Sequence, residues 1–206
     1  MKPPVEELVA LAVGLANAGQ RERARIVCDK ALAEYPPHPA IHQLLALLAL
    51  QAAHPAEARR HAQASLALRP GHGPTLLLAA EAALALHAPA EAAADYERAA
   101  ALAPAHPDVW FGLSQARQDL ADLTGAEAAL RRTLALRPDQ VEALVNLGIV
   151  LQEQGRVDEA MASYGRAYRL REASFGRIAH ALATPGSGRL WLDLEALRAA
   201  LVAAAA

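Results

Sequence analysis

At 206 residues, 54% of them hydrophobic but only 4% aromatic, the chain has enough material for one ordinary domain or a short repeat array with a sizeable core. Its 20 Lys and Arg against 22 Asp and Glu leave a formal charge of -2, which removes the electrostatic pull toward nucleic acid or an anionic membrane that a basic protein would have. A single cysteine, Cys28, excludes an internal disulfide and a cysteine-rich zinc site, and suits a reducing compartment.

Alanine and leucine dominate and β-branched residues are few, which predicts an all-α protein. The N-terminal MKPPVEELVALAVGLANAGQ places Pro3, Pro4, Glu6 and Glu7 where a signal peptide carries a basic, then apolar, stretch. It reads instead as the approach to a first helix, and no segment has the apolar length of a membrane span. A cytoplasmic protein is expected.

From Val5 onward the chain repeats itself at an offset of 34 residues. Blocks 5–38, 39–72, 73–106, 107–140 and 141–174 align without insertion. Block position 20 is Ala24, Ala58, Ala92, Ala126 and Ala160, and position 32 is proline in the first four blocks. Each block contains two helix-length periodic segments with punctuation between and after them, which predicts an antiparallel helix pair. Small residues at positions 8 and 20 let the two helices approach closely. Pro55 and Pro89 stand at second-helix starts, and Thr124 with Glu127 has the spacing of a capping box.

His38, His72 and His106 all fall at block position 34, so their spacing is the repeat period itself. Equivalent positions in stacked helix pairs lie roughly 10 Å apart, too far to share a metal that each must reach within about 2.1 Å. His38 and His106 precede prolines and are expected as extended loop residues at a helix start. His54 and His87 fall in inter-helix turns. No nucleophile–base pair or metal-ligand spacing stands out, so neither enzyme activity nor a cofactor is expected.

After residue 174 the pattern weakens. Residues 175–183 read either as a continuation of the fifth block's second helix or as a shortened first helix of a sixth unit. Thr184 to Gly188 stop any helix, and a last amphipathic helix follows with Asp193 as N-cap and Leu194, Leu197 and Leu201 on one face. Residues 175–206 are expected to cap the last repeat, as repeat arrays require, or to present Trp191 and those leucines to another subunit or partner.

In the fifth block Leu144, Leu147, Gly148, Leu151, Ala160, Tyr164 and Ala167, and in the fourth Trp110, Leu113, Ala126 and Pro138, follow the signature of the tetratricopeptide repeat (TPR) family, which the chain resembles over residues 5–174. The resemblance implies a right-handed α-solenoid of five tandem helix pairs plus a C-terminal capping helix or helices. It also implies a concave face lined by the first helices. Carried onto this sequence, that face comprises Val9 and Val13; Gln43, Leu47 and Leu50; Leu77, Glu81 and Leu84; Phe111 and Gln115; and Val145 and Ile149. It is apolar in the first three blocks and more polar in the last two. Val9 and Val13 stand where TPRs that clamp acidic C-termini carry the first pair of Lys and Asn residues, and only Asn146 stands where an asparagine ladder would run.

The implied function is a non-catalytic scaffold or adaptor that holds a partner protein's helix or apolar segment. A homo-oligomeric scaffold assembled through the C-terminal helix, and an accessory or assembly subunit of an enzyme, are the alternatives. Arg25, Arg59, Arg60, Arg131, Arg132 and Arg166 fall on second helices and are expected as a solvated outer surface. Cys28, in the slot that Tyr96 and Tyr164 occupy elsewhere, is expected to be buried. The Ala, Arg and Leu bias fits a GC-rich, bacterial coding sequence.

Overall fold

The computed structural model describes residues 3–183 and 193–204. Among them are twelve α-helices and no strand, as the composition predicts. They are α1 (Val5–Asn17), α2 (Arg21–Glu34), α3 (Pro39–Gln51), α4 (Pro55–Leu68), α5 (Gly73–Ala85), α6 (Pro89–Leu102), α7 (Pro107–Asp119), α8 (Leu123–Leu136), α9 (Val141–Glu153), α10 (Val157–Leu170), α11 (Phe175–Leu182) and α12 (Leu194–Ala203). They fall into two compact units, residues 1–104 with α1 to α6 and residues 105–206 with α7 to α12. Each unit is a stack of antiparallel helix pairs.

Local chemistry sets where the helices begin and end. Pro39, Pro55, Pro89 and Pro107 are first helical residues, where a missing N–H costs nothing and the fixed φ is already helical. The residue before each is pushed out of the helical region, so His38, His54 and His106 become N-caps. First helices end in a shared turn in which the residue after the C-cap has positive φ: Gly19 at 75°, Ala53 at 57°, His87 at 56°, Ala121 at 59° and Gly155 at 78°. The next N–H bonds back five residues, as in Gln20 to the Leu15 carbonyl at 2.9 Å and His54 to that of Ala49 at 2.8 Å, which closes a Schellman motif.

Only Gly19 and Gly155 suit that turn. A side chain in the left-handed region costs about 1–2 kcal/mol. Ala53→Gly and Ala121→Gly are therefore expected to raise stability by roughly 0.5–1 kcal/mol each, net of glycine's extra unfolded-state entropy, read as an increased urea midpoint at unchanged m.

The helices of a pair meet through small residues. Ala12, Ala46, Ala80 and Ser114 at position 8, and all five alanines at position 20, are at most 1% exposed. In unit 1 the interior is largely alanine: Ala46, Ala62 and Ala79 form one cluster, and Ala49, Ala58 and Ala82 another. Unit 2 instead holds one large cluster built on Leu130, Leu144, Leu151, Tyr164, Ile178 and Leu182, joined by Leu197 and Leu201.

Two local expectations need correction. The N-cap of α8 is Asp122, whose carboxylate accepts the Gly125 N–H at 2.9 Å, so the helix starts before Thr124 and the Thr124–Glu127 capping box does not form. An aspartate already in place two residues earlier caps the free N–H groups of the first turn. Nor are all the second-helix arginines solvated, for the Arg59 side chain is only 13% exposed. The open choice at residues 175–183 also resolves. Arg171 leaves the helical region, residues 172–174 form a 3-10 turn, and α11 is a separate helix packed on α9.

Salt bridges tie successive second helices together. Arg25 reaches Glu57 at 2.7 Å, Arg59 reaches Glu91 at 2.9 Å and also pairs with Asp95, and in unit 2 Arg156 takes Glu127 and Glu159 at 2.7 Å each. The Arg131 and Arg156 side chains beside Glu127 outweigh its partial burial and hold its carboxyl below the usual range.

Candidate functional site

Within unit 1, α1, α3 and α5 present the residues expected to face a partner. Val13 is 40% and Leu47 38% exposed. With Ala16, Gln43, Leu44 and Leu78 they line a pocket of about 220 Å3. The floor is aliphatic and the polar lining is limited to the amides of Asn17 and Gln43. Val9 and Leu50 are half-buried against the underlying clusters, Leu77 and Leu84 are half-buried on α5, and Glu81 is exposed beside them. Sequence reasoning did not single out Leu78, because it falls one residue beyond the position expected to face the groove.

Within unit 2 the corresponding residues behave differently. Val145 is 1% exposed and belongs to the core, while Phe111 and Ile149 are half-buried against it. Gln115 is exposed. Leu144, Leu147 and Val150 of the same helix are buried with it in one cluster, so α9 is enclosed on several sides and little of Val145 is left for a partner.

The C-terminal helix packs on its own chain. Leu197 and Leu201 are 1% and 0% exposed against the unit 2 core, α12 lies along α10, and Asp193 caps it by accepting the Glu195 and Ala196 N–H groups. Gly165 makes this possible, since a Cβ there would run into the Leu201 carbonyl. Leu194 points outward at 54% exposure. Trp191 lies outside the described residues.

The structure also assembles a histidine pair that sequence reasoning missed. His42 on α3 and His61 on α4 place their Nδ1 atoms 3.1 Å apart, with ring centroids 5.4 Å apart. The signal was present as a histidine on each helix of one block, but only the helix packing decides that these two side chains meet. Burial lowers both pKa values; for His61, Arg60 and His42 add to the effect while Glu57 and Asp29 oppose it. His72 is lowered by burial and Arg69.

These groups fold neutral and unfold with pKa near 6.5, so above that pH both states bind the same protons. Below it the unfolded chain takes up protons first. Stability is therefore expected to fall as pH drops through the range from about 6.5 to 5, before carboxylates titrate, and His42→Gln/His61→Gln should flatten that slope in a urea-midpoint series.

Among the described residues no group of three or more His, Cys, Asp or Glu side chains converges as a metal site, and no helix is long and apolar enough to cross a membrane. Cys28 is 1% exposed, and burial, with a smaller effect of Asp29, pushes its thiol up to about 11.

Residues 111–177 match the family model described as Tetratricopeptide repeat. Comparison with curated proteins gives no match. Among solved structures the chain is similar to a crystal structure of the MamA protein, with 17% identity, a TM-score of 0.75, and coverage of 82% of this chain and 93% of that one. It is also similar to MamA from Desulfovibrio magneticus RS-1, at 16% identity with a TM-score of 0.77, covering 84% of this chain and 98% of that one. At such identities the likeness is one of fold.

Proposed function

We propose that this chain, whose residues 111–177 match the tetratricopeptide repeat model, acts as a non-catalytic scaffold that holds a partner protein's helix or apolar segment against α1, α3 and α5 of unit 1. The observation that carries this reading is the aliphatic pocket in which the exposed Val13 and Leu47 meet Gln43, Leu44 and Leu78. Apolar side chains left exposed beside a concavity are stabilised when a partner's apolar side chain fills it, and the two amides supply the few directional bonds that fix a register. A soluble, cytoplasmic adaptor of this kind requires no cofactor.

Leu47→Glu places a charge at the pocket wall while leaving the core beneath it intact. A pull-down from the source lysate is expected to lose the bound protein with this variant, and equal recovery by wild type and Leu47→Glu would rule the groove out. Assembly through α12 has less support, because Leu197 and Leu201 are already used inside their own unit.

A further inference from the structure

A second concave feature lies in unit 2, between α8 and α10. It is a groove of about 530 Å3 with an apolar floor of Leu134, Leu144 and Leu147. Arg131, Ser163, Arg166 and Arg169 stand around it. The residues at the same register elsewhere explain why it is open and why it is cationic.

In the third repeat, position 26 is Arg98, which donates to the Asp95 carboxylate at position 23 at 3.1 Å and to the Pro70 carbonyl at 3.2 Å. In the fifth repeat the equivalent Arg166 donates to the equivalent carbonyl, that of Pro138, at 2.6 Å, but position 23 is Ser163 and supplies no carboxylate. Position 29, alanine in the other four repeats, is Arg169, whose hydrogen bonds go to the Leu201 and Val202 carbonyls at 3.3 and 3.5 Å. In the second repeat, position 23 is His61, whose ring lies against His42. In unit 1 this register thus holds Asp95 or His61, each with a partner inside the unit, whereas in unit 2 the Arg166 and Arg169 guanidinium groups beside the groove have, among the described residues, carbonyl partners only.

We propose that the α8–α10 groove docks an acidic peptide segment of a partner protein. A carboxylate of the peptide takes the place beside Arg166 that Asp95 holds beside Arg98, and a neighbouring leucine-type side chain seats on Leu134, Leu144 and Leu147. Nucleic acid fits less well, because Arg131 is already neutralised by Glu127 at 2.8 Å and Glu159 at 3.6 Å, which leaves Arg166 and Arg169 as too few cations to track a phosphate backbone, and the floor of Leu134, Leu144 and Leu147 suits an apolar side chain that such a backbone lacks. The groove shares no residue with the unit 1 pocket, so the two sites succeed or fail separately.

The test is fluorescence anisotropy of the full chain with a labelled peptide of alternating glutamate and leucine. Saturable binding is expected, weakened about tenfold by Arg166→Gln. Ser163→Asp, which rebuilds the internal pair of the third repeat, should weaken it at least as much without lowering the thermal midpoint, and Leu47→Glu should leave it unchanged. The proposal is overturned if the wild type shows no saturable binding, if a lysine–leucine peptide binds equally, or if both unit 2 variants keep full affinity. Displacement of the probe by polyphosphate at equal charge would likewise overturn it, because the site would then read charge alone.

Discussion

Tyr164→Ala is expected to lower the stability of unit 2 by about 4 kcal/mol, the range for deleting a large buried aromatic side chain. The Tyr164 ring is 0% exposed and lies so close to Gly148 that a Cβ at that position would overlap it. Its hydroxyl donates to Gln152 Oε1 at 3.1 Å, and Gln152 Nε2 in turn donates to the Ala181 carbonyl at 2.9 Å, so one side chain links α9, α10 and α11. Burial, with Glu153, raises the phenol pKa above its ordinary value, in keeping with a neutral donor.

Tyr164→Phe keeps the packing and removes only the donor, leaving a buried amide oxygen unpaired. It is expected to cost about 1–2 kcal/mol. Gly148→Ala should destabilise the wild type by overpacking and cost much less in the Tyr164→Ala background, since the two share one space. Urea unfolding of the four variants measures all of this. A Tyr164→Ala loss no larger than that of Tyr164→Phe would mean that the ring is not packed as described.

Arg59→Met is expected to cost about 3 kcal/mol, and to lower the thermal midpoint by roughly 6–12 °C. Arg59 pairs with Asp95 and Glu91 and donates to the Ala79 carbonyl at 2.8 Å, with its own side chain 13% and that of Asp95 10% exposed. Removing the cation strands a carboxylate in a poorly solvated place, with Arg98 alone left to it among the described residues. The desolvation of that carboxylate, more than any loss of Coulomb attraction, sets the size of the effect. Arg59→Met/Asp95→Leu removes both charges and should recover most of the loss. If instead the double variant is as unstable as the single one, packing of the arginine stem, not charge, is what α4 and α6 lose.

Ile26 at 60% exposure and Leu11 at 52% show how far sequence position alone can mislead. Leu11 shares block position 7 with Leu45, Ala79, Leu113 and Leu147, which are all 5% exposed or less, because in α1 no preceding described helix covers it. The same limit applies to the arginines. Arg25, Arg59 and Arg131 share a helix face in a sequence reading, yet Arg59 is enclosed while Arg131 is 52% exposed, a difference made by what the next second helix places opposite them. Among the residues expected to face a partner, Val13, Gln43 and Leu47 line one pocket and Val145 is core. Their periodicity was readable; the depth of each was not.

What the sequence by itself determined is what depends on neighbours along the chain. Proline at a helix start, the residue before it forced to extended geometry, the small residues at positions 8 and 20, and the apolar stripes all act within one 34-residue unit, and the all-α fold of tandem helix pairs follows from them. The tertiary structure alone decided which side chains meet between helices: His42 with His61, Arg59 with Asp95, Tyr164 with Gly148 and Gln152, and the arginines left around the α8–α10 groove. These contacts depend on helix separation and rotamer direction to within about an ångström, the scale on which hydrogen bonds and packing gain or lose most of their energy. A repeat pattern carries no such precision, because it fixes which face a residue occupies but not what stands opposite it.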